Sequence, residues 1–287
     1  MRRTLIAAFI VTAGILTINQ EASAFFGFGK KNKAEIVQVV GSDTCLNVTQ
    51  HITETYMKGH KDARIAVTGG GSGVGIAAAI NGTTDIAMAS RSAKSSEMGK
   101  AEANGKKLEE VVFGWDGIGV IVNKNNPINV LSKEVIGKIF EGKITNWKEV
   151  GGKDAPIVIL SRDSSSGTHS YFKKDVVRGG DKKSKKEYSE TSLFLPSNSA
   201  IVQETASNEN AIGYVGMGYL DDTTKALGVN GIEPTVANVS SKAYPIAREL
   251  FWYVPAERSQ VITNIVKFAL SSEGQSIVAK EGFVPAK

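Results

Sequence analysis

The sequence predicts an α/β fold built on mixed, mostly parallel sheets. Three observations predict it. β-rich runs alternate with helical patterns along the chain. The first three strands each end in small polar residues at a helix start. The single cysteine, Cys45, cannot form an internal disulfide, so the fold must rest on its apolar core. A length of 287 residues allows two compact units.

The elements follow in order. Met1-Arg2-Arg3, an apolar run from Leu5 to Ile18 and then Ala22-Ser23-Ala24 have the layout of a secretory signal peptide. The run is short of the ~20 residues that a membrane-spanning helix needs. Cleavage is expected after Ala24, leaving a flexible arm over 25–33. Strands are expected at 35–40, 64–68 and 85–89, and each runs into a helix start: Ser42-Asp43-Thr44, the Gly69–Gly75 run, and Ser90-Arg91. In a parallel sheet such turns fall at one edge, where ligands bind. A further strand spans 117–122, and the polar break from Asn123 to Pro127 suits a crossing between units. Ser132 is the expected cap of a helix that ends at Gly142. Strands at 156–160 and 211–215 follow, then a return at Tyr244–Val254. Val261, Ile265, Phe268 and Ala269 mark the apolar face of a C-terminal helix.

Composition excludes several classes. The formal net charge of +5 is scattered and favours an anionic ligand. The densest basic stretch, Lys182 to Lys186, has no interleaved aromatics and reads as a solvated loop, so no nucleic-acid partner is expected. The three histidines lack metal-ligand spacing, so neither metal nor cofactor is expected.

Two motifs carry chemistry. Gly69–Gly75 lacks the Lys-Ser/Thr pair of an ATPase loop, misplaces the third glycine of a dinucleotide loop, and is no nucleophile elbow, since Val74 stands two after Ser72. A glycine-rich helix start remains. It suits an anion or, equally, close packing. Ser161-Arg-Asp-Ser-Ser-Ser-Gly-Thr168 places a guanidinium, two hydroxyls and a glycine around one helix start. Hydrogen bonds to a charged group contribute ~1.5–3 kcal/mol each, so several hold a small dianion. A triad of Ser166, His169 and Asp163 can be drawn, although a triad is defined by geometry.

With these residues in place, the chain from about Glu35 to Pro285 resembles the phosphate-binding proteins of ABC-type importers. The matching stretches are Gly41-Ser-Asp-Thr44, Gly71-Ser-Gly73, Ala89-Ser-Arg91, Trp115 to Asn123, Ile139 to Trp147, Ser161 to Thr168, Ala211 to Val215, Tyr244 to Arg248 and Ser271 to Gln275. The resemblance implies a two-lobed periplasmic-binding-protein fold of type II, with the ligand in the inter-lobe cleft. Lobe I would hold 33–122 and 243–287, and lobe II 123–242. Phosphate ligands would be Ser42, Thr44, Ser72, Ser90, Arg162, Ser166, Gly167 and Thr168. Inorganic phosphate would be carried in the periplasm, by a monomer, to the membrane permease subunits of an ABC importer, without covalent chemistry.

One departure bears on selectivity. Some family members carry an aspartate after the third-strand serine, to accept the proton of hydrogen phosphate, and this chain has Arg91. Asp43 is the expected replacement acceptor, with Arg91 adding positive charge. Rival readings are a carrier of another tetrahedral oxyanion such as sulfate or molybdate, a secreted hydrolase using Ser166 or Ser72, and an interaction protein that has lost transport.

Overall fold

A computed structural model describes residues 36–286. The expected signal peptide and the 25–33 arm lie outside the described residues.

The chain opens with three strand–helix repeats. β1 (Ile36–Gly41) leads through a 3₁₀ turn to α1 (Leu46–Gly59); β2 (Arg64–Thr68) leads to α2 (Ser72–Asn81); β3 (Ile86–Ala89) leads to α3 (Ser95–Ala103). Period-2 alternation turns Val37 and Val39 inward, and one face of α1 buries Val48, Ile52 and Tyr56. All of β3 is buried, as a strand flanked by neighbours and covered by helices must be.

β4 (Leu108–Asn123) is much longer, because it finds one partner strand before Ile118 and another after it. Then come β5 (Val130–Leu131), α4 (Lys133–Phe140), β6 (Val158–Arg162), α5 (Gly167–Phe172), β7 (Leu193–Leu195), α6 (Asn198–Ser207) and β8 (Ala211–Gly216). The chain ends with β9 (Thr224–Ala226), β10 (Gly228–Val229), α7 (Val236–Ser240), β11 (Ala247–Pro255), α8 (Gln260–Ala269), α9 (Ser272–Lys280) and β12 (Val284–Pro285). Ser132 caps α4 by accepting from Val135 N at 3.1 Å. Ile265 and Ala269 face the core from α8 together with Ile262 and Val266, while Val261 and Phe268 flank that face. None of the described helices is long and apolar enough to cross a membrane.

The main sheet runs β2-β1-β3-β11-β4-β8-β6-β7, with β9 and β12 also paired to β4. Two parallel groups, β2-β1-β3 and β8-β6-β7, flank the antiparallel pair β11 and β4. β4 changes partners along its length. Leu108–Gly117 pairs with β11, and Ile118–Val122 pairs with β8. The change falls at Gly117–Ile118, before the polar break at Asn123 where a crossing was expected.

This topology sends β1, β2, β3 and β6 to a common line with their carboxyl ends. The helices after them pack close. A Cβ on Gly75 of α2 would lie 2.5 Å from the Val40 carbonyl oxygen and 2.7 Å from Gly41 Cα. Only glycine lets α2 sit flat on the end of β1. Gly75→Ala is therefore expected to lower stability by about 1–3 kcal/mol. Urea denaturation followed by circular dichroism checks this, and an unchanged midpoint would contradict the packing argument.

Candidate anion-binding site

The three turns after β1, β2 and β3 meet. Ser42 N donates to the Met88 carbonyl at 2.9 Å, and Gly71 N to the Gly41 carbonyl at 2.8 Å. These backbone bonds hold the turns side by side. Their hydroxyls then touch: Ser42 Oγ donates to Ser90 Oγ at 2.8 Å, and Ser72 Oγ accepts from Ser90 N at 3.0 Å. Ser42, Ser72 and Ser90 are all buried.

The turn after β6 closes onto them. Gly73 N donates to the Ser165 carbonyl at 2.9 Å, and Ser165 Oγ donates to the Gly70 carbonyl at 2.9 Å. Thr44 and Thr168 share a hydrogen bond of 2.8 Å between their hydroxyls. A Cβ on Gly167 would fall 2.2 Å from Ser72 Oγ and 2.7 Å from Ser90 Oγ. Ser166 caps α5, its Oγ accepting from His169 N at 3.2 Å. Residues from both halves of the chain thus form one buried cluster of hydroxyls.

Arg162, the last residue of β6, lies beside this cluster and is 1% exposed. Its Nη2 donates to the Pro196 carbonyl at 2.8 Å. Its Nη1 stands 3.2 Å from Asp43 Oδ2, close enough for attraction but not aligned as a hydrogen bond. Both Nη1 and Nε have no hydrogen-bond acceptor. Buried guanidinium donors nearly always have acceptors, so two without them mark a place built to receive one. Asp43 is held from the other side, with Oδ2 accepting from Asn198 N at 2.8 Å and Asn198 Nδ2 at 2.6 Å.

The structure brings Ser42, Asp43, Thr44, Ser72, Ser90, Arg162, Ser166, Gly167 and Thr168 together. Arg91 is turned away. Its guanidinium forms a two-pronged ion pair with Glu97, at 2.8 Å on each arm, and also donates to the Ser92 carbonyl. Glu97 lies six residues on, in the first turn of α3, so local pairing takes the side chain out of the cluster.

Sequence reasoning missed two charged residues. Arg248 of β11 is buried, and its Nη2 donates to Thr168 Oγ1 at 2.9 Å and its Nη1 to the Ser90 carbonyl at 2.8 Å. Its partner is Asp116 of β4, fully buried, whose Oδ2 accepts from Arg248 Nε at 3.0 Å and Nη2 at 2.7 Å. Burial pushes the Asp116 carboxyl up, and the Arg248 guanidinium pulls it back down. The available signal was a charge set beside apolar runs, Asp116 before Ile118–Val122 and Arg248 before Leu250–Val254. Asn198, which fixes Asp43, gave no such signal.

The drawn triad is not assembled. His169 Nδ1 is bonded to the Arg162 carbonyl at 2.7 Å, while Asp163 Oδ1 accepts from Ser165 N at 2.8 Å and Ser165 Oγ at 2.5 Å. Since a carbonyl only accepts, Nδ1 carries the proton.

Comparisons with known proteins agree with this geometry. Residues 28–273 match a family model described as a PBP superfamily domain. The phosphate-binding protein PstS of Staphylococcus epidermidis is 32% identical over 250 residues, covering 82% of this chain and 74% of that protein. This chain belongs to the PstS family. Two solved PstS-like structures share its fold. A Clostridium perfringens structure with bound phosphate, described as a phosphate ABC transporter substrate-binding protein, has 37% identity and a TM-score of 0.81, covering 88% of this chain and 100% of that one. An ABC-type phosphate transport receptor from Vibrio cholerae has 29% identity and a TM-score of 0.71, covering 86% and 99%. The two-lobed fold expected from the PstS resemblance is therefore the fold of this chain.

Burial holds His169 below the usual histidine range, against the opposing pull of its bond to the Arg162 carbonyl. As pH falls below about 6.5, the unfolded chain takes up this proton before the folded one does. Stability contributed here is full above that pH and is lost on acidification toward the folded value. His169→Asn is expected to lose less stability than the wild type between pH 7.5 and pH 5.5. Paired denaturation curves check this, and equal losses would contradict it.

Proposed function

We propose that this protein binds inorganic phosphate between two lobes and delivers it to an ABC-type importer. The observation that carries the reading is Arg162, a buried guanidinium with two unpartnered donors beside six convergent hydroxyls. Arg162 supplies charge and a planar fork. Ser42, Thr44, Ser72, Ser90, Ser166 and Thr168 supply hydroxyl donors, and Gly167 lets the backbone approach. The hydroxyls exchange their bonds to one another for bonds to phosphate oxygens. Binding alone is required, so no catalytic residue is assigned. The family relatives named as phosphate-binding proteins support the same ligand.

Specificity falls to Asp43. Asn198 and Arg162 hold Oδ2, and Oδ1 is the oxygen that takes the proton of hydrogen phosphate. Sulfate has no proton to offer at neutral pH. Arg91, paired with Glu97, contributes positive potential at the mouth of the cleft and does not touch the ligand.

The lobes divide where β4 and β11 change surroundings. We place the hinges at Gly117–Ile118 and Ile246–Ala247, a few residues from the expected 122 and 243. Ile118 N donates to the Ile246 carbonyl at 2.8 Å, so the two crossings lie together and can flex as one. The protein acts as a monomer outside the cytoplasmic membrane, after cleavage at Ala24, and the phosphate-closed form docks on the permease subunits.

Isothermal titration of the anion-stripped chain tests this reading. Tight one-to-one phosphate binding is expected, with sulfate weaker by about 10⁴-fold. Asp43→Asn should narrow that ratio. Gly167→Ala should weaken phosphate at least tenfold or so, because its methyl group meets Ser72 and Ser90 when the lobes close. No phosphate binding after unfolding and refolding would overturn the reading, and binding of molybdate or sulfate in its place would assign the site to another oxyanion.

A further inference from the structure

Outside the hydroxyl cluster lies a cavity of about 890 Å³. Ser42, Thr44, Ser72, Ser90, Ser166 and Thr168 do not line it, and all six are buried. The turn after β3 forms one wall, α5 and the segment after it the opposite wall, and β4 and β11 the floor. Six cations face it from the walls: Arg91 and Lys94 on one side, Lys173, Lys174, Arg178 and Lys182 on the other. Arg248 lies in the floor and belongs to Asp116.

The charges do not cancel. Glu97 pairs with Arg91, and Glu187 serves both Lys173 and Arg178. Asp181 and Glu249 are the acidic residues of the lining itself. Lys94, Lys174 and Lys182 have no carboxylate in ion-pair range among the described residues. His169, held neutral by burial, adds no charge. Arg91 is the most informative member. Its side chain is 10% exposed, yet its Nε has no acceptor. A buried donor in a cationic wall calls for an anion.

One tetrahedral oxyanion is far too small for this space. A volume of a few hundred to ~1,000 Å³ is that of a small-molecule site. We propose that the outer cleft is a second anion site, which takes a di- or triphosphate chain. Several phosphoryl groups in a row can meet Arg91 and Lys94 on one wall and Lys174 and Arg178 on the other, which a single phosphate cannot. The chain is either free or carried on a nucleoside. Trp115 and Tyr171, both partly buried, line the same cavity and are the aromatic rings on which a base would stack.

The test is titration of tripolyphosphate, and separately ATP, into protein already saturated with inorganic phosphate. One tripolyphosphate is expected to bind beside the bound phosphate. The double variant Lys94→Ala/Lys174→Ala should weaken it about tenfold and leave orthophosphate affinity within about twofold of the wild type. Both lysines are exposed, so the fold is expected to persist. ATP binding tighter than tripolyphosphate assigns the rings to a base; the reverse order assigns a free chain. The proposal is overturned by absence of saturable binding to the loaded protein, by displacement of the bound phosphate, or by unchanged affinity in the double variant. The same titration on unloaded protein reports the cleft even if orthophosphate itself does not bind.

Discussion

A guanidinium cannot be deprotonated in a protein, so a buried arginine must be met by acceptors wherever it lies. Arg162 sets that demand at the centre of this fold. β6 delivers it to the sheet edge, and the Pro196 carbonyl and Asp43 meet only part of it. Asp43 comes from the turn after β1, on the other side of the cleft, and Asn198 at the start of α6 keeps it in place. The attraction between Arg162 and Asp43 therefore pulls the two halves together across the site. In the proposed function, a dianion set against the free edge of Arg162 would complete its set of acceptors and tie ligand capture to closure.

Arg248 and Asp116 form a fixed frame beside this cluster. The pair joins β11 to β4 through a buried ion pair, next to the point where β4 changes partners. Breaking such a pair from one side costs about 3–5 kcal/mol, because the remaining charge is stranded. Arg248 also reaches the Ser90 carbonyl and the Thr168 hydroxyl. A residue of β11 thus touches groups at the turns after both β3 and β6. The outer cleft has the same arginine in its floor, so it lies against the hydroxyl cluster.

Much of this was legible in the sequence. Strand ends followed by Ser42, Ser72 and Ser90 define the sheet edge, and parallel topology forces them together. Arg162 through Thr168 stood out because donors, glycine and a strand end fell in one short stretch. Three things were not legible. Arg91 finds Glu97 six residues later, in the first turn of α3, a pairing that spacing alone did not require. Asn198 matters only because α6 carries it to Asp43, far away in sequence. The extent of β4 was hidden because Glu109, Glu110 and Asp116 interrupt its apolar pattern before Gly117, and only pairing with β11 makes that stretch a strand.

The account rests on Arg162 meeting the anion, and a crystal structure of the phosphate complex tests that most directly. The account predicts a tetrahedral anion with Arg162 Nε and Nη1 donating to its oxygens, ringed by the hydroxyls of Ser42, Thr44, Ser72, Ser90, Ser166 and Thr168. Phosphate seated in the outer cleft, with those hydroxyls still bonded to one another and Arg162 Nη1 still on Asp43, would contradict it.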